Sequence, residues 1–305
     1  MRIANSCGES GDPGLSSTVA SCRRVVRRVV RRVAPCYTRP PMNPAKLLKE
    51  KISNDEIVTG LLVTFHLWPD LVEVAKRGGA DYIIVDREHG AHSDEVSAEV
   101  CAIGRYLDFP VLIRPVDSEY STIRRSIDLG PCGLLLPTVE GASQLDGVRD
   151  SIYMPPRGKR RPGGAGNRWV SAIDYESWRR EVEDDFIILP QIESIQGLDR
   201  VDEIAGHEIT TAMAIGPYDL SAELGVCGEL DHPRCLDAEA KIRDAGRRAG
   251  KKMWVIGDPV ALTSRGHTFL CVGEPTNMLE KAIRRARSIA REAASGGTNG
   301  DSDYA

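Results

Sequence analysis

The chain has 305 residues, enough for one large domain or two ordinary ones. It is 41% hydrophobic and 28% charged, and its 44 acidic against 40 basic residues give a net charge of −4, without the basic excess of a protein that wraps nucleic acid. No apolar run reaches membrane-spanning length, and eight scattered cysteines without a CxxC argue against a thiolate zinc cluster or a disulfide framework, pointing instead to a reducing cytoplasm.

Residues 1–41 differ from the rest. After a Gly/Ser-rich start, arginine and valine pairs alternate from Arg23 to Val33. Membrane contact, nucleic-acid contact and targeting are conceivable uses, but the reading adopted is a disordered basic extension with neither membrane nor nucleic acid as partner. The interrupted valines make no signal-peptide core. A barrel domain is expected over 42–293, with a flexible tail over 294–305.

From Met42 onward the chain alternates between amphipathic stretches and short apolar runs. A first helix opens at Met42. Strands are predicted at Val58–Phe65, Tyr82–Asp86, Val111–Arg114, Gly133–Leu136, Phe186–Gln191, Thr211–Ile215, Lys252–Ile256 and Thr268–Val272. Continuous apolar character suits strands buried on both faces of a parallel sheet. Helices are predicted at Asp70–Arg77, Asp94–Tyr106, Glu119–Asp128, Ala142–Asp150, Gly197–Ala205, Arg234–Ala249 and from Pro275 to about Ala293. Eight such units in about 250 residues imply an α/β fold, a (β/α)8 TIM barrel with an additional C-terminal helix. A doubly wound sheet lacks support, since no GxGxxG follows the first strand.

The conspicuous polar residues sit where apolar runs end, the positions that meet at the catalytic rim of a barrel. Asp86-Arg87-Glu88-His89-Gly90 follows the second strand, Arg114 ends the third, Gln191 and Glu193 end the fifth, and Asp219 follows the sixth. Glu193 and Asp219 are candidate metal ligands, since two carboxylates with water and substrate oxygens suit Mg2+ or Mn2+, with Co2+ or Zn2+ possible. Structural alternatives stand beside this: Glu193 as a cap or ion-pair partner of the segment after it, Asp219 as a helix N-cap. His89 is suited to proton transfer, with Asp86 or Glu88 orienting its ring; a structural histidine is the alternative. Arg114 could bind an oxygen gaining negative charge or make a rim salt bridge. The run Gly216-Pro217-Tyr218-Asp219-Leu220-Ser221 could offer backbone N–H groups to a carboxylate at a short helix start. The basic loop Pro155–Trp169 could attract a dianionic substrate or simply face solvent.

These segments together resemble the HpcH/HpaI aldolase family. The matching words are Asp86-Arg87-Glu88-His89-Gly90, Ile113-Arg114-Pro115, Gly130–Pro137, Tyr153–Gly158, Gln191-Ile192-Glu193-Ser194 and Gly216–Ser221, spread over roughly Pro44–Ala290. The resemblance implies a divalent-metal-dependent aldolase that reversibly cleaves a 4-hydroxy-2-keto acid to pyruvate and an aldehyde. In it Glu193 and Asp219 hold the metal, Arg114 polarises the keto oxygen, His89 takes part in proton transfer and Gln191 helps hold metal waters or pyruvate. The backbone at Gly216, Pro217 and Leu220 receives the carboxylate of a small anionic 2-keto acid. It also implies a homo-oligomer, dimer or hexamer, built through the last helix. Two stretches depart from the family pattern, Lys159–Gly164 and Trp254–Pro259, and both bear on the aldehyde half of the substrate. Alternatives are a metal-enolate lyase such as a decarboxylase or a bond-forming cyclase, and a catalytically silent barrel scaffold.

Overall fold

The computed structural model describes residues 41–161, 168–170 and 175–295. The expected extension over 1–41 (apart from Pro41) and the tail beyond Ser295 lie outside the described residues. Eight parallel strands close into a barrel in chain order: β1 (Val58–Val63), β2 (Tyr82–Asp86), β3 (Val111–Arg114), β4 (Gly133–Leu136), β5 (Ile187–Ile192), β6 (Ala212–Ile215), β7 (Lys252–Ile256) and β8 (Phe269–Gly273), with β8 paired to β1. Every residue of β2 to β6 is buried. Their continuous apolar character follows from that double burial, barrel interior on one side and helices on the other.

An aromatic cluster closes on Tyr82. Trp254 Nε1 donates to Tyr82 Oη at 2.7 Å, Tyr82 Oη donates to the Leu270 carbonyl at 2.8 Å, and the Phe269 ring meets the tyrosine edge-on at 5.2 Å. These buried polar atoms satisfy one another, as burial requires. Gly60 makes room for the ring: a Cβ there would lie 2.4 Å from it.

The helices match the predicted ones where the sequence period is long, as at Asp94–Leu107 and Pro233–Arg248. Side chains cap several starts: Ser93 accepts from Val96 N, Asp258 from Ala261 N, and Glu274 from Asn277 N. The helices depart from the expected pattern in two respects. The single helix predicted over Gly197–Ala205 is two, Ile195–Asp199 and Val201–Gly206, meeting at Arg200. Tyr175–Glu181 and Pro259–Ser264 are helices of seven and six residues without a predicted counterpart, because fewer than two turns show no usable period. The short helix expected after β6 runs over Pro217–Glu223. The last helix, Pro275–Ala294, has no buried residue and exposes Met278, Leu279 and Ile283.

The described cysteines Cys101, Cys132, Cys227, Cys235 and Cys271 are free thiols, three of them buried. Among the described residues no helix is long and apolar enough to cross a membrane.

Candidate active site at the C-terminal rim

Strand register brings the site's central pair together. Asp86 and Arg114 are the last residues of neighbouring strands and stand side by side across the β2–β3 ladder. Arg114 Nε donates to Asp86 Oδ1 at 2.8 Å and Nη2 to Oδ2 at 2.6 Å, a bidentate pair between two buried side chains. Asp86 also accepts from Thr64 Oγ1 at 2.8 Å and from the backbone N–H groups of Glu88 and His89. Burial works to raise the aspartate pKa, but the Arg114 contacts and the other donors outweigh it and hold the carboxyl below its usual range. The other guanidinium nitrogen, Nη1, lies 3.2 Å from Glu88 Oε2.

Asp86 is committed to Arg114, whereas Glu88 Oε2 lies 3.7 Å from His89 Nε2. His89 itself is exposed. Nearby His92 is tied to the barrel instead, its Nε2 sitting 3.0 Å from the Val63 carbonyl. Burial pushes the Glu88 carboxyl up, against the pull of Arg114.

Glu193 follows β5 directly, two residues after Gln191, so the pleat turns both toward the same side. Gln191 Nε2 donates to Glu193 Oε2 at 2.6 Å, leaving Gln191 Oε1 buried with no hydrogen-bond partner. Glu193 Oε1 accepts from Thr138 N at 2.6 Å and Thr138 Oγ1 at 2.8 Å. Thr138 has φ of 46°, a left-handed conformation unusual for a β-branched residue, and the strain is held at a side chain that positions Glu193. Burial raises the Glu193 pKa; Thr138 opposes this, while the like charges of Glu88 and Asp219 add to it. Gly216 fits around the same carboxylate, since a Cβ would lie 2.1 Å from Glu193 Oε2 and 2.6 Å from Gln191 Nε2.

The capping alternatives do not hold. Ser194, not Glu193, caps the helix after β5 by accepting from Gly197 N, and the helix after β6 begins at Pro217 with Gly216 as its cap, leaving Asp219 exposed in its first turn. The carboxylate-receiving role expected of Gly216, Pro217 and Leu220 needs correction. Gly216 N donates to the Ile192 carbonyl, Leu220 N to the Gly216 carbonyl, and proline has no N–H. Ser221 is likewise committed: its hydroxyl donates to the Tyr218 carbonyl at 2.6 Å and accepts from Gly228 N at 2.9 Å in a buried position. The N–H groups that a helix's first turn leaves without partners inside the helix belong to Tyr218 and Asp219.

The described part of the basic loop serves the opposite end of the barrel. Arg157 pairs with Asp184, just before β5 begins, and stacks on Tyr153; Lys159 pairs with Asp150 and Arg160 with Asp128, both near helix C-termini. Its expected pull on a dianionic substrate at the rim is therefore not supplied by these three side chains. Residues 162–167 of that loop lie outside the described set. Thr64 and Thr138 were not anticipated as site residues; both follow strand ends closely, the one signal that could have flagged them.

A closed parallel barrel with buried charges at the C-terminal ends of β2, β3 and β5, and the exposed Asp219 after β6, has the layout of a barrel enzyme with its site at that rim. The chain belongs to the HpcH/HpaI aldolase/citrate lyase family, whose model matches residues 66–273. It is similar to a hydroxypyruvate/pyruvate aldolase of Pseudomonas aeruginosa, 31% identical over 79% of this chain and 91% of that one. It is also similar to a 2-keto-3-deoxy-L-rhamnonate aldolase of Shigella boydii, 30% identical over 81% of this chain and 94% of that one. The solved structure of an HpcH/HpaI aldolase from Desulfitobacterium hafniense superposes with a TM-score of 0.72 at 26% identity, covering 79% of this chain and 96% of that one. The protein is thus an aldolase- or lyase-type enzyme acting, at the level of its family, on small keto acids. Among the described residues no three His, Cys, Asp or Glu side chains form a metal-holding group by themselves.

Proposed function

We propose that the protein is a divalent-metal-dependent aldolase that reversibly cleaves a 4-hydroxy-2-keto acid to pyruvate and an aldehyde. The observation that carries the reading is the buried Arg114, locked on Asp86 and flanked by the crowded carboxylates Glu88 and Glu193. The residues fit a cation. Glu193 is held against the like charges of Glu88 and Asp219, Gln191 Oε1 is a buried acceptor without a donor, and Gly216 keeps the space beside Glu193 free of a side chain. Glu193 and Asp219 would hold it, with water and substrate oxygens as the remaining ligands, and a Mg2+ or Mn2+ ion (Co2+ or Zn2+ as substitutes) would supply Lewis acidity at the 2-keto oxygen.

The rest falls to the chain's own groups. His89, whose Nε2 lies 3.7 Å from Glu88 Oε2, accepts the 4-hydroxyl proton. The C3–C4 bond breaks, its electron pair passes through C2 to the keto oxygen, and the aldehyde leaves. Arg114 faces the growing negative charge with a guanidinium that Asp86 prevents from rotating, so little reorganisation is needed as the enolate forms. A proton returned to C3 gives pyruvate. No Schiff-base lysine is required. The substrate carboxylate is assigned to the first-turn N–H groups of Tyr218 and Asp219.

The exposed apolar stripe of Pro275–Ala294 supports a homo-oligomer, dimer or hexamer, in which a second copy covers that helix. Buried free thiols favour a reducing compartment, and the cytoplasm is the location proposed. The decisive experiment is thorough chelation of the purified enzyme. Turnover of a 4-hydroxy-2-keto acid should vanish with EDTA and return with Mg2+ or Mn2+; unchanged turnover would rule the mechanism out.

A further inference from the structure

Thr138 stands outside the catalytic and cation-holding set, yet it spends both of its donors on one oxygen of Glu193. Its backbone N–H and its hydroxyl donate to Oε1 at 2.6 and 2.8 Å. The other oxygen, Oε2, accepts from Gln191 Nε2 at 2.6 Å. A carboxylate has about four acceptor positions, a pair on each oxygen. Thr138 fills the pair on Oε1, and the position that no donor among the described residues takes is on Oε2. Hydrogen bonds to an ionised carboxylate are the strong kind, so a cation does not displace them freely.

The threonine is kept here against the preference of its own backbone. Its φ of 46° lies in the left-handed region, which disfavours a β-branched residue. Core packing does not ask for the side chain, because Thr138 is exposed. The turn is tied down by other groups: Val139 N donates to the Gln191 carbonyl at 3.1 Å, and Gln144 Nε2 donates to the Thr138 carbonyl at 3.0 Å. Glycine would suit the same φ and keep the backbone N–H on Oε1. What it would lose is the hydroxyl.

We infer that Thr138 is a positioning residue that leaves Glu193 a single oxygen, Oε2, for a cation, and so favours a small octahedral ion over Ca2+. The inference rests on the metal-dependent reading above. Mg2+ demands near-ideal octahedral geometry and Mn2+ shares it, which the narrow bite of a carboxylate binding through both oxygens fits poorly. Ca2+ takes a larger and looser oxygen shell, often with both oxygens of one carboxylate. Glu193 cannot offer both while Thr138 holds Oε1. Nor can the carboxylate turn easily, since it is wedged against the Gly216 backbone, where an added Cβ would lie 2.1 Å from Oε2.

The test reads cation binding, not turnover, on the full chain stripped of metal. Mn2+ binding is followed by the electron paramagnetic resonance signal of the free ion, and Ca2+ binding by competition against it. A chain that binds no Mn2+ would overturn the metal-dependent reading and this inference together. With Mn2+ bound, the unsubstituted protein should prefer it to Ca2+; equal or tighter Ca2+ binding overturns the inference alone. Thr138→Gly should raise Ca2+ affinity relative to Mn2+ by about tenfold, the scale of one charged hydrogen bond. Thr138→Val, which keeps the branched shape without the hydroxyl, should move the ratio the same way, and Thr138→Ser should restore it. A purely structural role would weaken both ions alike. Unchanged ratios in the glycine and valine variants, or a serine variant as altered as they are, would also overturn the assignment.

Discussion

Arg114 is where the physical demands on this protein concentrate. Its value to the reaction is a fixed fork, two parallel bonds to Asp86 with Nη1 left near Glu88. A lysine keeps the charge but cannot make the paired bonds. Arg114→Lys should therefore fold, yet lose about 100-fold or more in kcat; near-normal steady-state turnover would remove Arg114 from its assigned role. The neighbouring carboxylates give a pH signature of opposite signs. Asp86 is held low, so its contribution to stability is present above the ordinary aspartate range and is lost as pH falls through its depressed pKa. Glu193 and Glu88 are raised, so the chain without cation is favoured with them protonated and loses that stability as pH climbs through their elevated values. Cation binding needs the ionised form. Mg2+ affinity measured by calorimetry should weaken on acidification from about pH 8 to about pH 5, starting above the ordinary glutamate range; an affinity flat across that interval would contradict the crowding of carboxylates described here.

At the level of elements, the barrel is held by complementary exceptions as much as by its aliphatic strands. Gly60 on β1 is small because Tyr82 on β2 is large, and the tyrosine in turn satisfies Trp254 on β7 while capping a β8 carbonyl. Tyr82→Phe leaves the indole N–H and the Leu270 carbonyl without their partner. The expected cost is about 1–3 kcal/mol, read as a lower midpoint in thermal or urea unfolding. An unchanged midpoint would mean that the network carries no net stability. Short helices such as Pro217–Glu223 add little by themselves, since so few turns cannot offset the cost of nucleation. That helix persists because Leu220 and Ser221 are buried against the barrel, and Asp219 gains its place at the rim from them.

For the whole molecule, the telling feature is a twenty-residue terminal helix with no buried side chain. Its apolar positions Met278, Leu279 and Ile283 recur at helical spacing on one side, which a folded chain in water tends to cover. Leu279→Glu combined with Ile283→Glu should shift the assembly toward monomer in sedimentation or light scattering. A protein that is monomeric before the substitutions would refute the proposed oligomer.

The alternation of eight apolar runs with amphipathic stretches was readable from sequence, because strands buried on both faces tolerate few polar residues. The strand-end positions of Asp86, Arg114, Gln191, Glu193 and Asp219 followed from it. What could not be read was partnership. Nothing in a separation of 28 residues says that Asp86 holds Arg114 rather than His89; the β2–β3 register decides that. Thr138 reaches Glu193 across 55 residues through a strained turn, and the basic 157–160 segment finds its acids at the far end of the barrel. Local pattern determines which residues are buried and where a strand must stop, whereas hydrogen-bond partners and charge balance depend on distances that exist only once the sheet has closed.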